Sequence, residues 1–226
     1  MNKQATFPLI PTFQSPINSR SGKMKTEINI EITKSGSVPE IASVVAKAML
    51  TNPLHMAVFK SADARSLKRQ TRLFETVLKQ PNCNLLLAAH NGRPLGVMNY
   101  YLPGQCQINP VKTVFLLPAL IRVLGSRLPA VLKWKAAWSK HDPQEPHLHF
   151  GPLAVLPEYQ GLGIGSVLLM EFCLIADSRG LPAWLETDKK ENIPLYEKFG
   201  FEVVSKNMLH GVPNWFMHRE ALPLPK

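Results

Sequence analysis

The stretch of this chain best suited to chemistry is a short glycine-rich run, QGLGIGS, at residues 160–166. It consists of Gln160, Gly161, Leu162, Gly163, Ile164, Gly165 and Ser166. An apolar helical pattern follows it directly. A helix N-terminus carries unpaired N–H groups and partial positive charge, and glycines let a phosphate approach without meeting a Cβ atom. Taken alone, the run fits either a bare turn or an anion-binding loop.

Two common phosphate motifs do not explain the run. It lacks the Gly-Lys-Ser/Thr ending of a P-loop. Leu168 stands where the dinucleotide fingerprint has its third glycine. An anion-binding role therefore depends on what surrounds the run.

Two side chains near the run could accept a proton from a substrate. His149 lies on the strand predicted before the run, one alternation step beyond His147. Glu186 lies on the strand predicted after the helix. For His149 a satisfied or exposed histidine is the alternative interpretation. Asp188 is interpreted as a solvated loop carboxylate.

The second half of the chain alternates strands and helices. HLHFGPLAVLP predicts a strand, residues 165–179 a helix that stops at Gly180, and AWLETD another strand. NIPLYEKFGF predicts a short helix, and FEVVSK and VPNWFMHRE predict two more strands. This order requires at least one parallel crossover. The fold class is therefore α/β (α+β), with a mixed sheet of six to seven strands flanked by helices.

The first half supplies the remaining elements. Residues 26–33 alternate like a half-buried strand, and a helix follows a Ser37 cap. A second helix is predicted over residues 63–79, and NLLLAAHNGRPLGVMNYYL predicts a hairpin with an Asn-Gly turn. Residues 26–226 are expected to form one domain, preceded by a flexible tail at residues 1–25.

Residues 110–141 are predicted to be a helical insert before the fourth strand. The segment is rich in Leu, Val and Trp, but it is interrupted by Pro118, Pro129 and five Lys/Arg between Arg122 and Lys140. No uninterrupted run approaches the roughly 18–20 apolar residues of a membrane span. Two short amphipathic helices packed over the domain are therefore expected, and a membrane-surface helix is the alternative.

Composition limits the function classes. The chain has 226 residues, 45% of them hydrophobic and 19% charged, which suits a globular domain. The net charge of +10 fits a solvated basic face or an anion site, but no zinc-finger, helix-turn-helix or RNA-binding signature is present, so no nucleic acid is expected. Three cysteines without CxxC spacing and no secretory signal favour the cytoplasm. No metal site is predicted.

The combination of motifs resembles the GNAT superfamily, the Gcn5-related N-acetyltransferases. GPLAVLPEYQGLGIG, LETD and NIPLYEKFGF are most similar to the branch that contains puromycin N-acetyltransferase. The resemblance implies acetyl-CoA as cofactor. It implies that Leu153, Ala154 and Val155 bind the pantetheine arm and that the amides of residues 161–166 bind the pyrophosphate, with Gln160 in the family's Arg/Gln position.

The same resemblance gives roles to two later residues. Asn192 would hold the cofactor near its reactive end, and Tyr196 would act as general acid close to the sulfur. A core tyrosine beside Phe199 is the alternative for Tyr196.

The implied reaction is direct attack of an amine on the thioester. Backbone N–H groups of the central strand would stabilise the oxyanion, Tyr196 would protonate the thiolate, and Glu186 or His149 would take the proton from the amine. No covalent intermediate is needed, and no cysteine stands near these motifs in the sequence.

The expected acceptor is a small-molecule primary amine, hydrophobic or aromatic in character. A protein or peptide acceptor and a catalytically inactive acyl-CoA sensor are the alternatives. Membrane-surface contact is not expected, and both a monomer and a homodimer fit the sequence.

Overall fold

The computed structural model describes residues 30–106 and 110–223, with side chains from residue 114 onward in the second range. The predicted flexible tail at residues 1–25 lies outside the described residues. The start of the predicted first strand also lies outside the described residues. The part that is described forms a strand at Glu31–Thr33.

Seven strands form one mixed sheet, which confirms the predicted fold class. The strands are β1 Glu31–Thr33, β2 Asn84–His90, β3 Arg93–Tyr101, β4 Leu148–Val155, β5 Ala183–Thr187, β6 Glu202–Leu209 and β7 Val212–Arg219. Their order is β1-β2-β3-β4-β5-β7-β6. The β4–β5 pair is parallel and the other pairs are antiparallel. The predicted parallel crossover is thus the one that carries the glycine-rich run.

Seven α-helices accompany the sheet in the described residues: α1 Val38–Met49, α2 Pro53–Phe59, α3 Ala64–Leu78, α4 Pro110–Leu124, α5 Leu128–Ser139, α6 Ile164–Ser178 and α7 Ile193–Glu197. Helix α2 was not predicted. Its local signal is Asn52, whose side chain accepts a hydrogen bond from the Leu54 N–H, followed by Pro53 in the first turn.

Helices cover both faces of the sheet. Successive strand residues point to opposite faces, so neighbouring residues of one strand contact different helices. Leu86 and Ala88 of β2 belong to the core cluster that contains α6. Leu87, between them, belongs to the cluster that contains α1. The site residues on β4 and β5 are therefore held by a sheet that is packed on both sides.

Gly96 of β3 sets how closely α6 approaches the sheet. A Cβ atom at this position would lie 2.7 Å from Ile164 Cγ2 and 3.1 Å from Leu168 Cδ1. Ile164 is the first residue of α6. The bare backbone at Gly96 therefore determines where the N-terminus of this helix lies.

The insert forms two helices, as predicted, but they join through one 3-10 turn at Gly125–Arg127. Leu124 is fully buried against Val58, Phe59 and Leu73. By length and composition alone, the 26 residues of Val114–Ser139 are long and apolar enough to cross a membrane. Pro118 and Arg122 lie within α4, and Pro129 lies in the first turn of α5. One face packs on the domain, while Phe115 is 81% exposed.

Candidate active site

Strands β4 and β5 open a gap in the sheet. Their parallel register pairs only Leu148 with Ala183 and His149 with Trp184. Beyond these pairs β4 continues to Val155, where Leu153, Ala154 and Val155 pair with β3 on the other side. The backbone edge of these three residues that faces β5 is therefore available to a ligand.

The glycine-rich run follows β4 and begins α6. Gly161 and Gly163 have φ values of 76° and 83°, which only glycine adopts without strain. The Gln160 side chain donates a hydrogen bond of 2.9 Å to the Val155 carbonyl and ties the loop to the strand. The first N–H groups of α6 have no partner within the helix. This geometry is suited to an anion at the helix N-terminus.

A cavity of about 450 Å³, here called the loop cavity, lies between the gap and the glycine-rich run. Ten of the eleven residues predicted to bind the cofactor line it: Leu153, Ala154, Val155, Gln160, Gly161, Gly163, Ile164, Gly165, Ser166 and Asn192. Leu162 does not line it. Lys189 does, although its position was not predicted, and it adds a positive charge to the lining.

A second cavity of about 280 Å³, here called the aromatic cavity, lies beneath the insert helices. Its apolar wall consists of Leu73, Phe74, Val77, Val131, Trp134, Trp138 and Phe150. The Trp134 ring contacts the rings of His55 and Trp138 edge-on, at centroid distances of 5.0 and 5.1 Å. At the opposite side Asp142, His149 and Glu186 supply charged groups. The cavity thus combines an aromatic wall with a polar end.

The two cavities meet at Tyr196. Five residues line both of them: Met49, Asn52, Leu153, Asn192 and Tyr196. Tyr196 is 5% exposed, and burial raises the pKa of its hydroxyl well above the ordinary value, although hydrogen bonding to Asn192 opposes the shift. The hydroxyl therefore carries its proton at neutral pH.

His149 lies between two carboxylates. Its Nε2 is 2.9 Å from Glu186 Oε2, and its Nδ1 is 3.2 Å from Asp142 Oδ1. Burial lowers the pKa of His149, but the charge of Glu186 and the hydrogen bonds to Asp142 and Glu186 raise it well above 6.5. An imidazole that is already protonated cannot take a proton from a substrate. This arrangement favours Glu186 over His149 as the proton acceptor of the predicted pair.

A thiol that was not predicted from the sequence lies at the polar end of the aromatic cavity. Cys106 Sγ lies 3.9 Å from His147 Nε2, although the two residues are 41 positions apart. Burial raises the pKa of Cys106, but hydrogen bonding with His147 and His149 outweighs this effect, and the net result is a pKa lowered to about 7. Cys106 stands far from the motifs in the sequence, so spacing along the chain did not predict a thiol here. The only sequence signal is the alternation that places His147 and His149 on one face of the strand.

The interpretation of Asp188 as a solvated carboxylate was also wrong. Its Oδ1 accepts a 2.9 Å hydrogen bond from the Asn52 side chain, and its Oδ2 accepts one of 2.6 Å from the Leu54 N–H. Asp188 thereby caps α2 and fixes the end of β5 against it. Asn52 and Asp188 are 136 residues apart, so no local pattern could have shown this contact.

The sequence profile of the acetyltransferase (GNAT) family matches residues 52–201. The chain therefore belongs to the GNAT acetyltransferase family, whose members use acetyl-CoA as co-substrate.

Among curated proteins the chain is similar to a glucosamine 6-phosphate N-acetyltransferase of Trypanosoma brucei brucei. The two are 33% identical over 60 residues, which are 26% of this chain and 41% of the relative, so the match spans less than half of that protein.

Solved structures show the same fold. One, described as histone acetyltransferase HPA2 and related acetyltransferase from Corynebacterium glutamicum, has a TM-score of 0.67 at 19% identity. The match covers 87% of this chain and 99% of that one. The ribosomal-protein-S18-alanine N-acetyltransferase of Escherichia coli has a TM-score of 0.51 at 14% identity, with coverages of 87% and 96%. At these identities the likeness concerns the fold.

Proposed function

We propose that the protein transfers the acetyl group of acetyl-CoA to the primary amine of a small, largely apolar molecule. The observation that carries this proposal is the position of Tyr196, which lines both the loop cavity and the aromatic cavity. A group at that junction can contact the cofactor's sulfur from one side and the acceptor from the other.

The loop cavity is proposed to bind the cofactor. The pyrophosphate would accept hydrogen bonds from backbone amides of residues 161–166, with Lys189 adding positive charge to the lining. The pantetheine arm would pair with the open edge of Leu153, Ala154 and Val155, in the manner of an added strand. Asn192 lines both cavities and is therefore proposed to lie close to the thioester end.

The reaction is proposed to proceed by direct attack. The amine nitrogen forms a bond to the thioester carbon, and the carbon–sulfur bond breaks as the intermediate collapses. Tyr196 gives its proton to the departing thiolate, and backbone N–H groups of β4 stabilise the oxyanion. Glu186 takes the proton from the amine. Its Oε1 is buried without a hydrogen-bond partner among the described residues, while its Oε2 is held by His149.

The acceptor is proposed to be an amine with an apolar or aromatic body. Such a body would pack against the wall formed by Phe74 and Trp134, and the amine would face Glu186. The Trp134 indole N–H is buried without an acceptor among the described residues, so it is available to a polar group on the substrate. All three cysteines are free thiols, which favours the proposed cytoplasmic location.

Tyr196→Phe tests the role of the hydroxyl. Loss of a general acid should lower kcat by about 100- to 10,000-fold. The Kd for acetyl-CoA should stay within about threefold, since a tyrosine-to-phenylalanine change removes no charge that binds the ground state. Thiol release over a panel of amines gives the turnover, and calorimetry gives the Kd. Tyr100→Phe is the matched control, because Tyr100 is also buried but lines neither cavity.

Three outcomes would change the proposal. Near-normal turnover by Tyr196→Phe would remove the hydroxyl from the mechanism. Turnover only on peptides would assign a protein acceptor. Acetyl-CoA binding without turnover on any amine or peptide would make the chain a cofactor-binding sensor.

A further inference from the structure

Four side chains of the types that bind transition metals converge beside the aromatic cavity. Cys106, Asp142, His147 and His149 each offer one ligand atom, and these four atoms all lie within 4.8 Å of one another. They come from three separate segments: the turn after β3, the loop after α5, and the start of β4. Asp142 and His147 are buried, and the His149 side chain is only 12% exposed. A solvated surface cluster would not have this burial.

The hydrogen bonds of His147 leave one of its ring nitrogens available for the cluster. His147 Nδ1 lies 2.8 Å from the Glu145 carbonyl oxygen, which can only accept, so Nδ1 carries a hydrogen. In the neutral ring this leaves the lone pair on Nε2, the atom that lies 3.9 Å from Cys106 Sγ. The tautomer is therefore the one that a metal ligand at Nε2 requires.

His149 shows the same arrangement with the opposite nitrogens. Its Nε2 lies 2.9 Å from Glu186 Oε2, which accepts the hydrogen. Its Nδ1 lies 3.2 Å from Asp142 Oδ1, inside the cluster. A histidine that ligates a metal usually donates its other N–H to a carboxylate or a backbone carbonyl. Both histidines of the cluster have such an acceptor in place.

The distances fit a tetrahedral site after a small contraction. With Zn–N and Zn–O bonds of about 2.1 Å and a Zn–S bond of about 2.3 Å, tetrahedral N–O and N–S edges are about 3.4 and 3.6 Å. The measured edges are 3.2 Å between His149 and Asp142 and 3.9 Å between His147 and Cys106. All other distances between the four ligand atoms are at most 4.8 Å.

We propose that Cys106, Asp142, His147 and His149 form a tetrahedral zinc site. One thiolate, one carboxylate and two neutral imidazoles make a mixed sulfur, nitrogen and oxygen set of the kind that Zn²⁺ prefers, and the two anionic ligands balance its charge. Binding displaces the proton that His149 Nδ1 otherwise shares with Asp142. Four protein ligands leave no open position, so this is a structural site.

The site has a consequence for the acceptor end of the pocket. His149 holds Glu186 through its Nε2–H, so a metal on Nδ1 would fix the orientation of the Glu186 carboxylate. This positioning role depends on the proposed function, whereas metal binding does not, and the two can fail separately.

The test measures metal binding without any amine. Tag-free protein is kept reduced, stripped with a chelator and exchanged into chelator-free buffer. Zinc is then titrated against a chromophoric competitor, and Co²⁺ is titrated separately as a spectroscopic probe. We expect one zinc ion per chain, visible d–d bands of tetrahedral cobalt, and a near-ultraviolet thiolate-to-cobalt charge-transfer band.

Variants assign the ligands. Cys106→Ser should weaken zinc binding by at least about 100-fold and abolish the charge-transfer band. Cys83→Ser is the matched control, because Cys83 is also half-buried and free but lies outside the cluster, and it should bind as the wild type does. His147→Gln is the second variant and should weaken binding comparably. Acetyl-CoA affinity of the metal-free proteins shows that the variants are folded.

A wild-type protein that takes up no zinc, or a cobalt spectrum without the thiolate band, would overturn the proposal whatever the variants do. Equal zinc affinity of Cys106→Ser and the wild type would overturn it as well.

Discussion

Replacing Gly165 by alanine would separate a structural from a functional role of the glycine-rich loop. Gly165 is the second residue of α6, and it lines the loop cavity. A Cβ atom there would lie 3.9 Å from Val155 Cγ2 and 4.0 Å from Leu153 Cδ2, which are ordinary contacts. The fold can therefore accept the methyl group, whereas a bound pyrophosphate has to share the cavity with it.

The two effects have opposite signs. Alanine in a helix is favoured over glycine by about 0.5–1 kcal/mol, so the free energy of unfolding should rise by up to that amount. If the methyl group costs one hydrogen bond to a charged phosphate, about 1.5–3 kcal/mol of binding free energy is lost. This corresponds to roughly 10- to 150-fold weaker binding of acetyl-CoA. The variant should thus be more stable and bind the cofactor worse.

Urea denaturation gives the stability and calorimetry gives the acetyl-CoA affinity. Ser178→Ala is the control, because Ser178 ends the same helix and does not line the loop cavity. Its affinity should match that of the wild type. If Gly165→Ala gains stability and keeps its affinity, the glycine forms only a turn, and the proposed phosphate site is refuted.

Two further predictions concern the surrounding fold. Gly96→Ala should lower the free energy of unfolding by about 1–3 kcal/mol, because its Cβ would meet Ile164 Cγ2 at 2.7 Å. Urea denaturation measures this change, and unchanged stability would contradict the packing of α6 on β3. Asp177→Asn should destabilise the protein by about 1–3 kcal/mol at pH 7, because the two Arg219 hydrogen bonds of 2.7 and 2.8 Å hold the pKa of Asp177 below 3.8. A depressed pKa contributes stability above about pH 4 that is lost as the pH falls. Thermal unfolding between pH 7 and 3 should therefore show the difference between wild type and variant shrinking below pH 4, and a constant difference would exclude this account.

Local patterns determined the elements that are proposed to bind the cofactor. Strand β4, the glycine-rich run and α6 follow one another within residues 148–178, and each has its own short-range signal. These signals are alternation along the strand, glycine at positive φ and helical periodicity. The hairpin is equally local, since Asn91 and Gly92 take positive φ values in the turn that the sequence predicts. Where the interactions that form an element lie within a few residues, spacing is enough to predict it.

The acceptor end and the proposed metal site were decided by the tertiary structure. Cys106 meets His147 across 41 residues, and Asn52 meets Asp188 across 136. Such contacts depend on how sheet and helices pack, and residue spacing carries no record of this packing. The paired carboxylates around His149 are a further example, because Asp142 follows the insert and Glu186 lies on β5. By itself the sequence therefore determined the glycine-rich loop and the fold class. The chemistry that would receive the acetyl group depends on which distant segments the sheet brings together.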